Sequence, residues 1–118
     1  MPAMNRRKLV GAGVALAGVA FDSMIASFMV DPGKRSHALD ELTAEHFGVR
    51  MRTYHDVVGR GKPERPFAAV PVREAADYCC ADSDFALRLR KVLEPTLREH
   101  LLEPLFRDVE MPLIAVLA

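Results

Sequence analysis

Apolar positions fall at helical spacing in three stretches of the chain. From Ser23 to Val30, Met24, Ile25, Phe28 and Met29 gather on one side of a helix that Asp31-Pro32-Gly33 would end, and this assigns Met24, Phe28 and Met29 to the core. Leu39 to Phe47 repeats the pattern, with Asp40-Glu41 in the first turn and Gly48 at the end. The longest pattern runs from Val72 to about Leu93, with Ala75, Ala76, Cys79, Leu87 and Val92 among its apolar positions. Beyond it, Pro95, Pro104 and Pro112 predict short helices, because proline lacks the amide and crowds the preceding turn. Val19-Ala20-Phe21 predicts a short buried strand, residues 5–12 a short helix stopped near Gly13, and the Gly/Pro-rich run at 59–71 a loop.

A length of 118 residues bounds the chain to one modest domain or a piece of one. Half of it is apolar and 27% charged, which excludes wholesale disorder, and no apolar run is long enough to cross a membrane. The net charge of zero conceals an asymmetry. Residues 1–72 carry ten basic and seven acidic side chains, and residues 73–118 carry six and nine, so the two parts stand at +3 and −3. Basic loops facing an acidic helix suit a nucleic acid and the divalent ions used to cut it.

Cys79 and Cys80 are adjacent, a poor geometry for a mutual disulfide, and are expected to be two buried thiols in a reducing cytosol. His37, His46, His55 and His100 show no zinc-ligand spacing. Asn5-Arg6-Arg7-Lys8 followed by LVGAGVALAGVAF has the outline of a secretory signal, which gives a competing reading of the N-terminus as that of an exported protein.

Tyr78 and Asp82 lie four apart on the longest helical pattern and so share a face. A carboxylate beside a phenol on a rigid helix suits hydrolysis through metal-bound water. Two residues at this spacing are common on helices, and larger patterns give them meaning. FDSMIASFMVDPGKRSHALDEL, the GRGK loop, the Tyr-x-x-x-Asp-x-Asp segment from Tyr78 and the VEMPL run together resemble the 3′–5′ exonuclease domain of bacterial DNA polymerase I, over nearly the whole chain.

The resemblance implies an α/β ribonuclease-H-like fold, incomplete here, so that this chain is mostly α-helical with at most one or two short strands. Residues 1–106 are then the C-terminal part of the exonuclease domain, and residues 107–118 the start of the polymerase domain. In the family, two divalent metals are held by four acidic residues and assisted by a tyrosine. Tyr78 matches the water-orienting tyrosine and Asp82 the last metal-ligating aspartate. The middle aspartate falls on Asn5, and the opening Asp-x-Glu motif has no counterpart in the chain. Tyr54 matches an aromatic that packs on the unpaired 3′ end of DNA, while Arg60 and Lys62 are candidate phosphate contacts.

The expected cofactor is Mg2+ or Mn2+. The expected partners are a single-stranded DNA 3′ end and a polymerase domain in cis, in the cytoplasm, with no membrane. With one ligand replaced and the first motif missing, the chain is expected to cleave weakly or not at all. The alternative from another class is a catalytically silent interaction module derived from the same domain.

Overall fold

A computed structural model describes residues 18–59 and 65–117. Helix α1 (Ser23–Val30) begins where the Asp22 carboxylate accepts hydrogen bonds from the Met24 and Ile25 amides, at 2.9 and 3.1 Å. Helix α2 (Leu39–Phe47) ends on Gly48 at φ +66°, a left-handed cap that glycine adopts without steric cost. Helix α3 (Tyr54–Val58) carries a reciprocal cap: the Asp56 amide donates to Thr53 Oγ1, and the Thr53 amide donates to the Asp56 carboxylate. A 3₁₀ turn (Phe67–Ala69) leads into α4 (Val72–Glu99), the spine of the molecule. A short α5 (Glu103–Leu105), a π-helical turn (Phe106–Glu110) and α6 (Met111–Leu117) follow.

The main core is built on the far half of α4. Leu89, Leu93 and Leu97 recur at helical spacing and pack with Ala26 of α1, Leu42 of α2, Phe106 and Met111. Phe21 stacks obliquely on Phe106 at 5.2 Å and lies under the Arg90 guanidinium. A second cluster at the near half joins Val57, Val58, Val70 and Tyr78.

Several expectations are corrected. Among the described residues there is no strand, and Val19-Ala20-Phe21 is irregular, with no other extended segment among those residues paired to it. The helix expected at 5–12 lies outside the described residues. On α1 the buried face belongs to Ala26 and Ser27, while Met24 and Phe28 are exposed. Small side chains let α1 approach α4 closely, and the bulkier apolar residues flank that contact. Met29 is partly buried against the core, as expected. Cys79 and Cys80 are exposed, because the helix turns Tyr78 inward and them outward.

Pro95 does not end α4, which continues to Glu99. A proline inside a helix costs about 3 kcal/mol, and burial of Leu93 and Leu97 on either side offsets it. Upstream of Pro112 the backbone widens into the π-helical turn, a usual response to a missing helical amide.

Candidate functional site

Helix α4 presents Tyr78 and Asp82 one turn apart toward the interior. Tyr78 is 6% exposed, wedged against Val57, Val58 and Val70. Burial, and then the nearby Asp82 charge, push its phenol well above the usual tyrosine range, so it stays protonated. The Asp82 carboxyl is pushed up to about 6 by burial and then by the Asp40 charge, against a hydrogen bond from Tyr78.

The neighbouring face of this pair is α2. Asp40, Thr43 and Phe47 follow one another at three- and four-residue steps along it, and Phe47 meets Phe85 of α4 at 6.0 Å. Thr43 is fully buried with its hydroxyl lacking a hydrogen-bond partner, and Asp82 Oδ1 is likewise buried and unpartnered. The seam between the two helices is therefore polar and under-satisfied at the point where Asp82 sits.

An unpartnered carboxylate oxygen is the right chemistry for one ligand of a hard cation. Among the described residues, however, no three His, Cys, Asp or Glu side chains come together as a metal-holding group. The residues present do not by themselves fit the two-metal centre that the family resemblance implies.

The third component is aromatic. Tyr54 opens α3, and its ring stacks on Phe67 at 6.1 Å with planes 22° apart. Phe67 in turn meets Tyr78 at 6.3 Å. Tyr54, Phe67 and Tyr78 thus form a ladder that ends at Asp82. Around it, Arg65 Nε donates to the Val57 carbonyl at 3.0 Å, binding the loop to α3. Arg65 also reaches Glu74 of α4 at 3.2 Å, and Arg52 reaches the same carboxylate at 3.1 Å.

The structure brings together Tyr54, Tyr78 and Asp82 from the sequence-derived set. Arg60, Lys62 and Asn5 lie outside the described residues. Sequence reasoning did not single out Phe67, Asp40 or the Arg52–Glu74–Arg65 bridge. A signal for two of these exists in the sequence: Arg52-Thr53-Tyr54 and Arg65-Pro66-Phe67 each set an arginine two residues ahead of a ring.

Comparison with known proteins identifies the family. Residues 4–98 match the 3′–5′ exonuclease family model. The chain is 42% identical over 111 residues to DNA polymerase I of Chloroflexus aurantiacus, covering 92% of this chain and 12% of that protein. It is 33% identical over 106 residues to DNA polymerase I of Pseudomonas aeruginosa (89% of this chain, 12% of the relative). Against that of Treponema pallidum the figures are 36% over 98 residues, 83% and 10%. The chain belongs to the 3′–5′ exonuclease family. Within it, it corresponds to the exonuclease domain of DNA polymerase I, and it spans about an eighth of the length of these relatives. No helix among the described residues is long and apolar enough to cross a membrane.

Proposed function

We propose that residues 1–106 are the C-terminal part of a ribonuclease-H-like exonuclease domain that receives the 3′ end of single-stranded DNA, and that residues 107–118 open the polymerase domain that follows it. The observation that carries this reading is the pairing of the buried Tyr78 with the half-buried Asp82 at the end of the Tyr54–Phe67–Tyr78 ladder. A terminal base stacks on Tyr54, an interaction worth about 1–3 kcal/mol and tolerant of sequence. That places the last phosphodiester toward Tyr78. The phenol is protonated at neutral pH, so it positions a water by hydrogen bonding and does not abstract a proton. The Asp82 carboxylate is ionised above about pH 6 and holds the phenol in place.

Magnesium or manganese supplies the phosphate activation in the family by resemblance, and Asp82 alone offers too little charge to retain it tightly. The described residues therefore bind and orient the strand, and cleavage depends on acidic groups beyond them. The test is trimming of a 5′-labelled oligonucleotide, in the presence of Mn2+, by a version carrying an upstream Asp-x-Glu segment together with Asn5→Asp. Stepwise loss from the 3′ end that Asp82→Asn abolishes supports the reading. No loss above background, with DNA bound equally well by a Tyr54→Ala variant, contradicts it.

A further inference from the structure

Arg52 and Arg65 come from two different loops and converge on one carboxylate. Both Nη2 atoms donate to Glu74 Oε1, at 3.1 and 3.2 Å. The Arg52 and Arg65 side chains are 52% and 41% exposed and that of Glu74 only 29%, so an approaching ligand meets the guanidiniums before the carboxylate. One negative charge under two positive ones leaves an excess of +1 at this point. Ion pairs this exposed contribute little to stability, so the bridge to Glu74 gives Arg52 no structural reason of its own, whereas Arg65 is also anchored by Nε and Nη2 on the Val57 carbonyl.

The helical turns that follow these two loops supply the stacked rings. Arg52 precedes Tyr54 by two residues and Arg65 precedes Phe67 by two, and the rings stack at 6.1 Å. Each loop and the turn after it therefore offer a guanidinium and an aromatic ring two residues apart in sequence. A guanidinium suits a phosphate oxygen, and an aromatic face suits a base. Glu74 fixes the two arginines in register, so less side-chain freedom is lost when a phosphate arrives.

We propose that Arg52 and Arg65, held by Glu74, form a seat for a backbone phosphate of the single strand whose terminal base stacks on Tyr54. This rests on the single-stranded DNA reading above and adds a site to it. The charge excess at the seat is what an incoming phosphodiester neutralises, and neither arginine needs to leave Glu74 for this to happen.

The experiment is anisotropy of a labelled oligothymidylate of about ten nucleotides, titrated with the chain in EDTA over a range of salt concentrations. Arg52→Gln, at an exposed loop position, is expected to weaken binding about fivefold and to lower the salt slope by about one. Glu74→Gln is expected to bind as tightly as the parent or tighter, because the amide oxygen still accepts from both guanidiniums while the negative charge that opposes the phosphate is gone. Parent-like affinity and slope in Arg52→Gln would overturn the seat while leaving the DNA reading intact. So would a loss in Glu74→Gln that matches the loss in Arg52→Gln. Failure of the parent chain to bind the oligonucleotide at all would overturn the DNA reading and the seat together.

Discussion

The Asp40 carboxylate of α2 acts on the Asp82 carboxylate of α4, and after burial it is the largest influence holding that group up at about 6. The sign of the consequence is fixed. A carboxyl whose folded pKa lies above its unfolded value of about 4 stabilises the fold at low pH, and that contribution is lost as pH rises through about 6. Asp82→Asn is therefore expected to raise stability at pH 7–8 by about 1–2 kcal/mol, a figure reduced for partial solvent screening. It should also flatten the pH dependence between about 4 and 6. Urea denaturation across this range checks it, and a destabilised variant at pH 8 would contradict it. A group whose ionisation costs stability is a familiar compromise at functional sites.

Ser27 and His37 are joined at 2.8 Å, tying the loop after α1 back onto a helix position that is almost fully buried. His37→Ala leaves the Ser27 hydroxyl in the core without this partner. The expected cost is about 1–3 kcal/mol, measured by denaturation. The double change Ser27→Ala/His37→Ala should recover part of it.

Leu101 adopts φ +58° while its side chain is 86% exposed. It holds the turn that ends α4, in which the Leu102 amide donates to the Leu97 carbonyl at 2.8 Å. A leucine there carries the steric cost of the left-handed region and gains no burial in return. Leu101→Gly is expected to stabilise the fold by about 0.5–1 kcal/mol, seen as a raised thermal midpoint.

Helices α1, α2 and most of α4 were legible in the sequence because their signals are local, whereas α3 was not predicted. Asp40-Glu41 and Gly48 mark the two ends of α2 within a turn of each, and the Val72 pattern marks α4. The choice of buried face was less legible, since it depends on partners far away in sequence. Leu87 looks as apolar as Leu89, yet Leu87 is 58% exposed and Leu89 is fully buried against α1 and α2. Leu89→Ala should cost about 2–5 kcal/mol and Leu87→Ala no more than about 0.5 kcal/mol, a contrast that denaturation curves of the two variants would test. That Tyr78 and Asp82 share one face of α4 was legible from their spacing. Asp40 and Phe67 were not, because each reaches the site only through tertiary packing.

In the proposed function, the face carrying Tyr54, Phe67 and Tyr78 receives the 3′ end of a single strand. The most direct measurement is photo-crosslinking of an oligothymidylate bearing 4-thiothymidine at its 3′-terminal nucleotide, with the attachment mapped by mass spectrometry. The expected result is attachment within the peptides that carry Tyr54 and Phe67, lost when an unlabelled single strand competes. Attachment confined instead to the cleft lined by Met24, Phe28 and His37 would contradict it.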